Sequence, residues 1–193
     1  MAEKLVWKPC ALLNPVPVVM VSCGNMDTAN IITVGWAGTI CTIPPMLSIS
    51  MRKSRYSYEL ITESRHFVVN LVTQNLVKAA DWCGVKSGRD FNKFAHTGLT
   101  PIKAGTSDCP MISESPINIE CTVSNVLELG SHDLFVSKVD AVNVSKELVD
   151  ESTGALHLER ANLAAYCHGQ YFTLGNQIGT FGYTVRKKKN KKK

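Results

Sequence analysis

Apolar and polar positions alternate with a period of two over several stretches of the chain, and each such stretch predicts a strand. Val18 to Ser22 is an apolar, β-branched run that follows Asn14-Pro-Val-Pro17, as a strand entered from an extended lead-in would be. Asn30 to Trp36 and Met46 to Met51 are two more, separated by Gly35, Gly38 and the pair Pro44-Pro45, which exclude a helix between them. In His66 to Val72 the residues Phe67, Val69 and Leu71 share a face. The alternation is strongest from Ile117: Ile119, Cys121, Val123, Leu127 and Leu129 follow it on one face, while Asn118, Glu120, Thr122, Ser124 and Glu128 take the other. That pattern predicts a long half-buried strand, with a hairpin turn at Gly130-Ser-His-Asp133 and a partner strand from Leu134 to Val144.

Helical spacing occurs in two places. Tyr56, Leu60 and Ile61 predict a helix within Arg52 to Ser64, with Ser54 or Ser57 as N-cap, and Leu76, Ala79, Ala80 and Cys83 predict a second from Asn75 to Cys83. Between Cys83 and Ser115 the chain is rich in Gly, Pro, Ser and Thr, with one short helical patch at Asp90 to His96; a loop of that length in a small domain points to function. Six or seven strands and two modest helices, without strict strand-helix alternation, predict a mainly β fold: a closed or nearly closed antiparallel barrel with appended short helices.

Charge changes the picture less than its total suggests. The chain of 193 residues carries a formal +5, but the stretch Arg186 to Lys193 holds seven of the 21 basic residues and no acid. Without those seven, 14 basic residues face 16 acidic ones, so the excess belongs to a tail and not to the folded body, taken as residues 1–185. The tail, 186–193, is expected to be disordered. No apolar run reaches the roughly 18 residues of a membrane span, and the N-terminal stretch lacks the apolar segment of a signal peptide, so a cytoplasmic protein with no membrane partner is expected. The seven cysteines are odd in number and never closer than twelve residues, which excludes a Cys-x-x-Cys site and predicts reduced, mostly buried thiols.

The candidate chemistry lies in three segments. Arg52-Lys-Ser-Arg-Tyr-Ser57 sets basic and hydroxyl side chains between a strand end and a helix start, where free backbone N–H groups and the helix dipole favour an anion. Lys86-Ser-Gly-Arg-Asp-Phe-Asn-Lys93 is a second basic, glycine-containing loop followed by a short helix. Thr33-Val-Gly-Trp-Ala-Gly-Thr-Ile-Cys41 has Gly35, Ala37 and Gly38, which let a flat ring lie against backbone, and Trp36, which can pack beside it; the same glycines would also serve a barrel bend. Together these segments predict a planar aromatic cofactor bearing a phosphate. No Walker loop, HExxH, Gly-x-Ser-x-Gly or strand-to-helix Gly-x-Gly-x-x-Gly is present, and His66 and His157 have no neighbours at metal spacing.

Asn30-Ile-Ile-Thr-Val-Gly-Trp-Ala-Gly-Thr39, Pro44-Pro45, Ser50 to Ile61, Phe67-Val-Val-Asn70, Ser87 to Phe94 and Leu174-Gly-Asn-Gln-Ile-Gly-Thr-Phe-Gly182, in that order, resemble the flavin reductase-like family and, within it, the flavoredoxins. The resemblance covers Val6 to Val185 and implies an FMN-binding split β-barrel of Greek-key type, usually a homodimer. By position it implies that Thr33, Trp36, Ala37, Gly38 and Thr39 hold the isoalloxazine ring. Arg52, Ser54, Arg55, Tyr56 and Ser57 would surround the ribityl chain and phosphate. Lys93, in the loop starting at Ser87, would reach the phosphate from another side, and His132 would lie near the flavin. The chain departs from the family's Arg-Pro-Glu-Arg-Tyr at Arg52-Lys-Ser-Arg-Tyr56. The flavin would carry the redox chemistry, with no catalytic acid-base dyad, and electrons would come from NAD(P)H or a redox protein. The competing expectation is a non-enzymatic barrel that binds nucleic acid through the lysine tail. Against it, the predicted strand faces lack the interleaved aromatic and basic residues of a single-strand binder.

Overall fold

The structure is a computed structural model and describes residues 2–186; the basic tail from Lys187 onward lies outside them. In chain order the strands are β1 (Val16–Pro17), β2 (Val19–Cys23), β3 (Asn30–Val34), β4 (Ala37–Thr42) and β5 (Pro45–Met51). Helix α1 (Tyr56–Ser64), β6 (His66–Leu71), α2 (Val77–Val85) and α3 (Lys93–Thr97) follow. The chain continues through β7 (Pro101–Lys103), β8 (Pro110–Ile112), the long β9 (Ile117–Glu128) and β10 (Asp133–Val144), and then β11 (Ala164–Cys167) and β12 (Gln170–Thr173). Among the described residues no helix is long and apolar enough to cross a membrane.

Seven strands form one antiparallel sheet in the order β3-β2-β6-β9-β10-β5-β4. Its two edge strands, β3 and β4, are consecutive in the chain and joined only by Gly35 and Trp36, so the sheet has to curl until its edges nearly meet. The Ser50 N–H donates to the Trp36 carbonyl at 2.9 Å and so carries the β4–β5 ladder up to this junction, but no ladder joins β3 to β4 among the described residues. The barrel is therefore split along one side. β1, β11 and β12 make a separate three-stranded sheet, and β7 pairs with β8.

The interior is filled by Val21, Ile49, Phe67 and Phe135, each with no exposed surface, together with Ile61 from α1, which closes one end. On the outside of β2 and β3, Leu76 just before α2, Ala80 and Cys83 of α2 and Phe94 of α3 pack against Met20 and Ile31. With partners on both faces, all five residues of β2 are buried, which explains its continuous apolar run. Four cysteines, Cys23, Cys83, Cys109 and Cys121, are buried; Cys41 and Cys167 are partly so, and Cys10 is exposed.

Three sequence expectations are corrected. First, α1 begins at Tyr56 with Arg55 as N-cap and no side-chain cap, because Ser57 is already buried in the first turn and Ser54 stays outside it. Second, Thr33 to Cys41 is two strand segments with Trp36 at the break, so β4 is a strand of its own. Third, β9 is not half-buried over its length. Asn118 and Glu120 are buried because β8 and the loop before it fold over that face: the Glu120 carboxylate accepts from the N–H groups of Gly105 (3.0 Å) and Thr106 (2.7 Å) and from Asn143 (2.7 Å). Farther on, a bulge against β10 at Val136/Ser137 inverts the alternation, so Val126 packs on the core while Leu127 and Leu129 are exposed.

Candidate functional site

The turn after β5 and the loop after α2 meet over the outer end of β3. Between them is a cavity of about 140 Å³, lined on one side by Ser54, Arg55, Tyr56 and Ser57 and on the other by Cys83, Gly84, Lys86, Ser87 and Gly88, with Asn30, Ile32 and Lys93 at its base. Its lining contains three cationic side chains, Arg55, Lys86 and Lys93, and no carboxylate. A larger depression of about 480 Å³ lies near the Gly24 to Thr28 turn, but Glu63 and Asp108 line it and give it the wrong sign for a phosphate.

Lys93 is the most informative residue. It opens α3 and is only 3% exposed, yet its ammonium donates to a single acceptor, the Cys83 carbonyl, at 2.7 Å. No carboxylate of the described residues lies within salt-bridge distance of it. An ammonium carries three donors, so this one is held under-satisfied at the base of a cationic cavity. Burial lowers its pKa below the ordinary lysine value, and the nearby Arg55 lowers it further. A bound anion would favour the charged form and so oppose both effects.

The backbone contributes as well. The N–H groups of Tyr56 and Ser57, in the first turn of α1, have no intrahelical acceptor and carry the positive end of the helix dipole. Gly88 holds the opposite wall so close that a β-carbon there would press on the side-chain oxygen of Asn30, with the Tyr56 ring 3.0 Å away, so any larger residue forces one of these neighbours to shift. Asn30 is itself buried and donates through Nδ2 to Ser57 Oγ at 2.8 Å, fixing the α1 hydroxyl. Cys83, which also lines the cavity, has its thiol pushed up to about 11 by burial, so it stays protonated and adds no negative charge.

The remaining sequence candidates fall into a second group along the barrel seam. Trp36 is about half exposed, and its ring lies 4.7 Å from the His132 ring, at a tilt of 49°. His132 is shifted below its usual value by burial first and then by Arg52 and Arg55, which places all three basic residues in one field. Nothing lies within 4 Å of where a Gly38 β-carbon would be, and Ala37, Gly38 and Thr39 present their strand at least partly to solvent. That surface leaves room for a flat group against the backbone. Thr33 is differently engaged: its hydroxyl donates to the Ala80 carbonyl, which ties β3 to α2.

Ser54, Arg55, Tyr56, Ser57, Ser87 and Lys93 thus converge on one cavity, with Trp36, Ala37, Gly38, Thr39, Arg52 and His132 at the seam and Thr33 between strand and helix. Sequence reasoning did not find Asn30 or Gly88 as cavity residues. Asn30 reads as an ordinary strand start, and only the close approach of Gly88 reveals its part.

Residues 12–175 match the model of the flavin reductase like domain. The flavoredoxin of Desulfovibrio vulgaris (Miyazaki F) is 27% identical and superposes with a TM-score of 0.87, covering 95% of this chain and 100% of that one. The flavoredoxin of Methanosarcina acetivorans is 26% identical with a TM-score of 0.86, covering 96% and 100%. A more distant relative, the FMN reductase (NADH) RutF of Escherichia coli O6:K15:H31 (strain 536 / UPEC), is 22% identical over 110 residues, which is 55% of this chain and 65% of that protein. With its split barrel and this match over most of its length, the chain belongs to the flavin reductase-like domain family.

Proposed function

We propose that this protein binds FMN and works as an oxidoreductase or electron carrier, passing electrons from NAD(P)H or a redox protein to an acceptor. The observation that carries the reading is Lys93, buried and under-satisfied at the base of an acid-free cavity between two basic loops. A phosphate monoester, with nearly two negative charges, suits that donor set. Lys93 and Arg55 would hold it electrostatically, with the α1 N–H groups and the Ser57 hydroxyl completing the shell. The open strand at Ala37 to Thr39, beside Trp36, would receive the isoalloxazine ring. Bound there, a flavin supplies hydride and single-electron chemistry. The chain's own residues set its surroundings: His132, held below its ordinary value, is neutral at pH 7, so positive charge near the seam comes from Arg52 and Arg55.

The test is a visible spectrum of the purified protein after incubation with FMN and desalting, followed by anaerobic titration with NADH and NADPH. Retained flavin absorbance is expected. Bleaching by a nicotinamide would favour a reductase, bleaching only by dithionite or a protein donor a carrier, and a colourless protein would overturn the flavin reading.

The same reading includes a homodimer. Segments flanking the barrel carry apolar side chains with almost no cover, among them Val6 at 99% and Ile178 at 96% exposure, along with Leu13 and Phe181. Such side chains on both flanks suit burial against a second copy. Light scattering is expected to give twice the chain mass, and deletion of residues 2–13 to shift the protein towards monomer. A full-length monomer at micromolar concentration would contradict this.

A further inference from the structure

Arg89 crosses between the two walls of the phosphate cavity without lining it. It follows Gly88 in the loop wall, and its guanidinium reaches α1 on the other side. There it pairs with the Glu59 carboxylate, donates to the Ser54 carbonyl at 3.3 Å and lies over the Tyr56 ring at 5.3 Å. The loop is braced behind it, since the Ser87 hydroxyl accepts the Arg89 N–H at 3.2 Å and the Ser87 carbonyl accepts the Asp90 N–H at 3.3 Å. Three contacts from one side chain therefore hold the loop wall against the helix wall.

We propose that Arg89 and Glu59 form a clasp that sets how long a phosphate-bearing ligand stays in the cavity, with both acting as positioning residues; this rests on the phosphate reading above. The side chains of Arg89 and Glu59 are 45% and 51% exposed, so the ion pair adds little to the stability of the fold. Its leverage is on opening. For the walls to part, the ion pair, the ring contact and the carbonyl bond have to break together, and Lys93 and Arg55 keep their ligand until they do. Removal of either partner is expected to speed release and to leave association nearly unchanged. Added salt should speed release in the wild type, because the pair is accessible to screening.

The experiment loads the full-length protein with FMN, dilutes it and follows the recovery of flavin fluorescence, with the melting temperature of the apoprotein measured alongside. The variants are Glu59→Gln, Arg89→Met, the double variant and the swapped pair Glu59→Arg with Arg89→Glu. Each single variant is expected to release FMN roughly fivefold faster. The double variant should be no faster than Arg89→Met, the swapped pair should recover part of the loss, and the apoprotein melting temperatures should stay together. Single variants that release FMN at the wild-type rate would overturn the clasp and leave the flavin reading standing. Faster release that tracks a fall in apoprotein melting temperature would also overturn it, as a general loosening of the fold. A wild type that retains no FMN would overturn the flavin reading and the clasp with it.

Discussion

Replacement of Lys93 by methionine is expected to weaken FMN binding about a hundredfold and, at the same time, to raise the melting temperature of the apoprotein. Methionine keeps an unbranched side chain one atom shorter and removes its charge. The ligand loses a charge-assisted hydrogen bond, worth about 1.5 to 3 kcal/mol, along with the electrostatic attraction of a poorly solvated ammonium. The apoprotein no longer holds a charge that is 3% exposed against one carbonyl. Stranding the Cys83 carbonyl costs about 1 to 3 kcal/mol. Relief of a buried, unpaired charge is expected to exceed this.

The pH dependence follows from the direction of the shift. Burial holds Lys93 below its ordinary value of 10.5, so between its folded value and 10.5 the unfolded chain binds more protons than the native one. Its contribution to apoprotein stability therefore rises with pH across that window, while FMN affinity falls as the ammonium is lost. Denaturation and flavin titrations at several alkaline pH values check both signs. A Lys93→Met apoprotein that melts lower than wild type, or keeps the same alkaline rise, would refute the account.

Substitution of Gly88 by alanine is the second large effect. The new methyl would collide with Asn30 Oδ1, so either Asn30 gives up its bond to Ser57 or the loop wall moves out. Overpacking of this kind costs about 1 to 3 kcal/mol. Since both responses spoil the cavity, FMN binding is expected to fall more than tenfold. Gly38→Ala is the contrasting control, because no atom opposes a β-carbon there. Its melting temperature should match wild type, and any loss of FMN affinity then reports a ligand lying against that strand. Equal FMN affinity of Gly88→Ala and wild type, by fluorescence titration, would show that the cavity is not where the cofactor is held.

The sequence announces elements whose neighbours are local and misjudges those covered from a distance. The alternation from Ile117 to Val123 marks the core face of β9 correctly, but a period of two cannot show that residues 104 to 112 will return to cover Asn118 and Glu120. Nor can it show the bulge that turns Val126 inward, because a bulge belongs to a pair of strands and not to one. In the cavity, the two basic loops are visible as composition, whereas Asn30 depends on a close approach between residues 58 positions apart. The burial of Lys93 is equally hidden: a lysine between Asn92 and Phe94 reads as the surface of a short helix, and the packing of α3 on β3 reverses that.

The strand order also dictates when during synthesis the cavity can exist. β5 delivers the chain to the arginine turn, and its partners are β4 and β10, the latter ending at Val144. β3, which supplies Asn30, is anchored through β2 to β6, and β6 pairs in turn with β9. Every residue lining the cavity thus precedes residue 94, but the sheet that supports its walls is completed some fifty residues later. A chain still emerging from the ribosome would carry both basic loops and the contacts between them, but not the completed sheet that supports those contacts. On the flavin reading, cofactor loading would belong to the released, folded chain, and cellular flavin supply would act on that population by mass action rather than by guiding its folding.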